Sequence, residues 1–123
     1  MTRRLLAMAI QSKRVYEEPQ PSDGQRILVD RLWPRGLSKE GAHIGYWAKR
    51  VAPSHELRRW YRHEPDKWPE FRRRYFAELQ ANPDGVAELV SYLSKATVTF
   101  VFSSRETKLN NAAALKEYVT AYR

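Results

Sequence analysis

The run Thr97-Val98-Thr99-Phe100-Val101-Phe102 constrains the fold more than any other segment. It is β-branched and aromatic throughout, the pattern of a strand covered on both faces, as in a parallel sheet with layers packed above and below. A second buried strand is expected over residues 26–30, where Ile27, Leu28 and Val29 follow the turn Pro21-Ser22-Asp23-Gly24. A third, weaker one is expected near residues 6–11, running into Lys13-Arg14-Val15-Tyr16.

Helical periodicity fills the middle and the end. Ser54 is placed to cap a short helix with Leu57, Trp60 and Tyr61 on one face. Asp66 is expected to cap a second, which tolerates Pro69 in its first turn and carries the stripe Trp68, Phe71, Tyr75, Phe76 and Leu79. Asn82-Pro83 reads as N-cap and first residue of a third, with Val86, Leu89, Val90 and Leu93 facing inward. A fourth is expected over residues 108–122, burying Ala112, Leu115, Tyr118 and Val119.

A buried strand, helices, another buried strand and a closing helix describe an α/β domain with parallel pairing. The expected architecture is a small, mainly parallel sheet of about three or more strands, flanked by helices in a Rossmann-like two- or three-layer arrangement. No repeat, low-complexity tract or linker divides residues 1–123, so one domain is expected.

Composition removes several function classes. The chain has no cysteine, which excludes disulfide scaffolds, thiolate zinc sites and cysteine nucleophiles. No apolar run approaches the roughly 20 residues of a membrane-spanning helix. Residues 1–10 fit a first buried strand better than a signal peptide, so a soluble cytoplasmic protein is the default. The net charge is +8, carried by 15 arginines and 7 lysines, which points to an anionic partner: nucleic acid, nucleotide or phosphorylated metabolite. Genomic bias toward arginine produces the same excess. Oligomeric state is not encoded in these features.

Parallel sheets bind ligands beyond the carboxyl ends of their strands, which directs attention to residues 30–36 and 103–111. In the first, Asp30 ends a hydrophobic strand, Arg31 and Arg35 flank Trp33-Pro34, and Gly36 permits a sharp bend. Arg31 and Arg35 can clamp an anion, Asp30 can orient one of them or accept a proton as a catalytic base, and Trp33 can stack on a planar ring. The structural alternative is a buried Asp30-Arg31 pair that pins the strand end. In the second, Ser103, Ser104 and Arg105 lead into a helix N-terminus, suited to an anion; helix capping by Ser104 or Thr107 explains them equally. Neither standard nucleotide-binding glycine fingerprint is present.

The segments Lys13-Arg14-Val15-Tyr16, Pro21-Ser22-Asp23-Gly24, residues 26–39 with the run Val29-Asp30-Arg31-Leu32-Trp33-Pro34-Arg35-Gly36, Ala52-Pro53-Ser54, Phe71-Arg72-Arg73-Arg74-Tyr75 and Leu115-Lys116-Glu117-Tyr118 together resemble the YeaO-like branch of domain-of-unknown-function family 488. The likeness covers nearly everything from residue 10 to 122. It implies a ligand role for Lys49, where the family pattern also has lysine. Near the last helix the family commonly carries histidines where this chain has Leu109 and Asn111, while Asn110 is retained. The resemblance therefore implies that any chemistry resting on those histidines is missing here.

His43, His55 and His63 lack partners at metal-ligand spacing, so no metal site and no cofactor are expected. Each reads as a surface or capping residue, His63 at a helix end. Arg58, Arg59, Arg62, Arg72, Arg73 and Arg74, interleaved with Trp60, Tyr61 and Tyr75, form a basic helical surface that would suit single-stranded nucleic acid; an ordinary solvated helix face looks the same. The leading expectation is an anion pocket at the carboxyl edge of the sheet, formed by Arg14, Arg31, Trp33, Arg35, Lys49, Ser103, Ser104, Arg105 and Asn110. It would bind a nucleotide-like or phosphorylated ligand, and hydrolyse or transfer it if the site is catalytic. A non-catalytic nucleic-acid-binding module and a protein-interaction domain with a structural Asp30-Arg31 pair are the alternatives. Three geometric expectations follow. The carboxyl ends of the second and last strands are adjacent, all four tryptophans are largely buried with one face of Trp33 open, and Arg31 or Arg35 faces a solvent-accessible pocket.

Overall fold

In the computed structural model, which describes residues 10–121, four parallel strands form one sheet in the order β1-β4-β2-β3. These are β1 (Ile10–Arg14), β2 (Gln25–Leu28), β3 (Tyr46–Trp47) and β4 (Val98–Phe102). The helices are α1 (Lys39–Ala42), α2 (His55–Tyr61), α3 (Trp68–Gln80), α4 (Pro83–Leu93) and α5 (Asn111–Thr120). The chain is thus α/β, and its most apolar strand is central, as its composition requires. All five β4 residues are buried.

The sheet has two unequal covers. Ile27, Val29, Val98, Phe100 and Phe102 join the main core with Leu57, Phe71, Tyr75, Leu89 and Leu115 of α2–α5. The alternate residues Leu28 and Val101 project to the other face, as the twofold strand period demands. There, with Val15, they pack against Trp33, Leu37, Ile44 and Trp47. A helical layer lies on one side and the segment around α1 on the other.

Local signals account for several boundaries. Ser54 caps α2 by accepting the Leu57 amide, and Asn82 caps α4 by accepting the Gly85 amide. Others moved. The expected cap at Asp66 is replaced by a 3-10 turn, Pro65–Lys67, that runs straight into α3, whose N-cap Lys67 makes no side-chain cap bond. The last helix starts at Asn111, later than expected, because Asn110 extends and accepts the Ala113 amide. The described part of the first strand, Ile10–Arg14, falls within the expected segment, whose residues 6–9 lie outside the described residues, as does Tyr122. The two-residue β3 and four-residue α1 were invisible because elements this short have no measurable period. All four tryptophans are buried over most of their surface and packed against the core, though none is fully enclosed. The deepest aromatic positions belong instead to Tyr75, Phe71, Phe100 and Phe102.

Gly24 shows why the turn before β2 needs glycine. Its φ is +63°, and a Cβ there would sit 2.1 Å from the Thr97 carbonyl oxygen. That carbonyl receives the Gln25 amide at 3.0 Å, joining β2 to the start of β4. Beside this turn lies a buried ionic cluster: Lys13 and Arg26 donate to the Asp23 carboxylate at 2.9 and 3.0 Å.

Candidate functional site

The parallel pairing Leu28↔Val101 aligns the carboxyl ends of β2 and β4. The Val29 amide extends the ladder to the Val101 carbonyl at 3.1 Å. Asp30 therefore meets Ser103: its Oδ2 accepts the Ser103 amide at 2.9 Å and the Ser103 hydroxyl at 2.8 Å. Its Oδ1 accepts from Asn111 Nδ2 at 3.1 Å. Both carboxylate oxygens are engaged, so Asp30 holds the two strand-end loops and the start of α5 together.

Above this joint opens a cleft of about 660 Å3, within the size range of small-molecule sites. One wall comes from the loop after β2, with Leu32, Trp33, Pro34 and Arg35; another from α2 and its C-terminal turn, with Arg58, Tyr61, Arg62 and His63. Ser103, Ser104 and Arg105 close it from β4, and Arg14 and Tyr16 from β1.

Neighbouring arginines have separate fates. Arg31 turns away from the cleft and donates from Nε to the Pro53 carbonyl at 3.0 Å and from Nη2 to the Ala52 carbonyl at 3.1 Å. The Asp30-Arg31 ion pair offered as the structural alternative is not formed; each residue has other partners. Lys49 lies over the Trp47 ring at 5.0 Å and does not line the cleft. Asn110 is a buried helix cap. Of the residues expected at the pocket, Arg14, Asp30, Trp33, Arg35, Ser103, Ser104 and Arg105 are brought together, whereas Arg31, Lys49 and Asn110 are not. Replacing Arg31 with alanine should lower stability by about 1–3 kcal/mol, since it leaves two carbonyls short of charged donors. Urea denaturation checks this, and an unchanged midpoint would show that water replaces the guanidinium.

Arg35, Arg62 and Arg105 are exposed, and among the described residues their guanidinium groups have no hydrogen-bond or ion-pair partner. Arg58 makes only a 3.5 Å contact with His55. Arg14 donates to the Ser104 and Ser103 carbonyls at 2.9 and 3.0 Å, fixing that loop. The arginines expected to form one helical surface are thus divided. Arg58 and Arg62 face the cleft, Arg59 lies outside it, Arg72 pairs with Glu117, and Arg73 and Arg74 both pair with Glu70.

His63 and Tyr16 reach the cleft without having been singled out for it. Arg62 and His63 both adopt left-handed backbone, φ 51° and 56°, which carries the chain over so that His63 Nδ1 lies 3.3 Å from Ser104 Oγ. The only hint was the abrupt end of a helix before Pro65 without a glycine to terminate it. Tyr16 donates its hydroxyl to the Arg35 carbonyl at 2.9 Å, latching the β2 loop to β1. Burial, with a smaller contribution from Glu106, pushes the Tyr61 hydroxyl up to about 12; it stays protonated and donates to the Leu109 carbonyl at 2.7 Å. Glu106 is held below its usual range by the Leu109 and Lys108 amides, against a smaller opposing effect of desolvation. Trp33 keeps a partly open ring; its Nε1 donates to the Leu37 carbonyl at 2.7 Å and its ring meets Trp47 edge-on.

Among the described residues no His, Asp and Glu cluster is placed to hold a metal ion, and no helix is long and apolar enough to cross a membrane. No solved structure matches this chain. An uncharacterized protein of Mycobacterium tuberculosis (strain H37Rv) is 45% identical over 104 residues, spanning 85% of this chain and 87% of its own length. The uncharacterized protein YeaO of Escherichia coli is 39% identical over 112 residues, spanning 91% of this chain and 97% of its own. The family described as the inactive DUF488-N3 subclade matches residues 9–122. With β2, the arginine-lined cleft and α5 all inside that match, the chain belongs to the DUF488 family as a YeaO-like member of this subclade.

Proposed function

We propose that the chain binds a phosphorylated or nucleotide-like small molecule in the cleft and does not turn it over. One observation carries the reading: Arg35, Arg62 and Arg105, whose guanidinium groups have no partner among the described residues, all line one concavity. Its single lining carboxylate, Asp30, already has both oxygens occupied. A concave site with low-dielectric walls concentrates the field of such charges on an entering anion. Trp33 and Tyr16 add aromatic surface for a planar ring.

Binding without turnover is supported from two directions. Asp30 is committed to three structural hydrogen bonds, from the Ser103 amide and hydroxyl and from the Asn111 side chain, and the family is described as an inactive subclade. Leu109 and Asn111 also provide no imidazole at the start of α5. The paired state of Arg72, Arg73 and Arg74 leaves the α3 surface less suited to a nucleic-acid backbone than the cleft is to a compact anion.

Calorimetric titration with adenosine mono- and diphosphate at low salt tests this. Binding is expected in the parent and should weaken by at least about tenfold in Arg62→Gln/Arg105→Gln with no change in melting temperature, because both side chains are exposed. Arg73→Gln/Arg74→Gln should bind like the parent, and nucleotide should be recovered intact. Absence of binding, or loss confined to the α3 variant, would overturn the proposal.

A further inference from the structure

We infer, building on the proposed binding site, that its ligand carries two phosphoryl groups, as in pyrophosphate or a nucleoside diphosphate. The argument is one of charge and position. Five arginines line the cleft, Arg14, Arg35, Arg58, Arg62 and Arg105, and Asp30 is the one acidic residue among the lining residues. A phosphate monoester carries about −1.5 to −2 at neutral pH, which leaves about half of that net positive charge uncompensated. A second phosphoryl group removes a further share of the mutual repulsion.

Position spreads three of these arginines over separate walls. Arg35 stands on the loop after β2, and its backbone is fixed by the Tyr16 hydroxyl on its carbonyl. Arg62 and Arg105 stand on the α2 and β4 walls, where His63 meets Ser104. Among the described residues the guanidinium groups of all three have no partner, which leaves each bidentate face available for an anion. A second phosphoryl group supplies further terminal oxygens, so arginines arriving from separate walls need not all share one phosphate. A longer polyanion fits less well. Single-stranded nucleic acid needs a basic groove that continues along its backbone, and the arginines of α3 are already paired with Glu70 and Glu117.

Isothermal titration at constant ionic strength decides the matter, using inorganic phosphate, pyrophosphate, adenosine monophosphate and adenosine diphosphate. The two diphosphates should bind at least about tenfold more tightly than their monophosphate counterparts. Arg35→Gln should shrink that ratio toward unity, while Arg59→Gln, outside the cleft, keeps it. Adenosine diphosphate binding above pyrophosphate identifies a nucleotide, and equal binding identifies a bare diphosphate; both support two phosphoryl positions. Equal affinity for mono- and diphosphates, or a ratio untouched by Arg35→Gln, overturns the inference while leaving anion binding intact. Failure of all four probes to bind overturns the underlying proposal as well. Arg35 is exposed, so the variant should melt with the parent, and a melt of each variant confirms that affinities compare folded proteins.

Discussion

Replacing Asp23 with asparagine should lower the folding free energy by about 3–5 kcal/mol, a large share of the stability of a domain this size. Asp23 and Arg26 are only 4% and 3% exposed. The carboxylate receives Lys13 at 2.9 Å, Arg26 at 3.0 Å and the Gln20 amide at 3.1 Å. Arg26 also donates to the Ala42 and Val15 carbonyls, tying β2 to the end of α1 and to the residue after β1. Asparagine keeps the shape but leaves a buried guanidinium without its counter-charge. Burial alone raises the Asp23 carboxyl, but bonds from Lys13, the Gln20 amide and Arg26 together outweigh it and hold the group below its ordinary 3.8. A lowered folded-state value means that the contribution is fully present above the unfolded value and is lost as pH falls through the folded one. The parent should therefore lose stability below about pH 4, and Asp23→Asn should lose less over that range. Urea midpoints across pH check both points; a loss under about 1 kcal/mol would mean that the cluster is hydrated.

Asp30→Ala should cost about 2–3 kcal/mol and reduce anion affinity at the same time. The substitution removes the acceptor for the Ser103 amide, the Ser103 hydroxyl and the Asn111 side chain, releasing the loop that carries Ser104 and Arg105. Removal of a negative charge from a basic cleft would by itself favour an anion. A fall in affinity therefore reports lost positioning rather than lost charge. Parallel melts and titrations separate the two effects. An unchanged melt with tighter binding would show that the loop is held by other contacts, chiefly those of Arg14 to the Ser103 and Ser104 carbonyls.

Both predictions concern residues whose setting was only partly legible. Residues 97–102 declare a strand covered on both faces, and it is the central strand with every residue of β4 buried. The parallel neighbourhood of β2 and β4 was also legible, because alternating helical and strand patterns leave few ways to bury such runs. Ser54 and Asn82 announced two helix starts because capping acts within four residues of chain. Asp66 failed as a cap because Pro65 begins a 3-10 turn that merges with α3.

Through its local periodicities and its charge, the sequence by itself determined that this chain is α/β, which runs are buried, and where the sheet presents its carboxyl edge. Only the tertiary structure decided which arginines are available there. Arg31 and Arg35 have the same chemistry and lie four residues apart, yet one is bound to the Ala52 and Pro53 carbonyls while the other stands unpartnered in the cleft. His63 reaches the site because a left-handed turn through Arg62 and His63 brings its ring against Ser104, 41 residues away, and Arg62 lines the same cleft. The physical reason is range. Burial periodicity and capping act over a few residues and are written into neighbouring side chains, whereas the fate of a long charged side chain depends on acceptors contributed by distant segments.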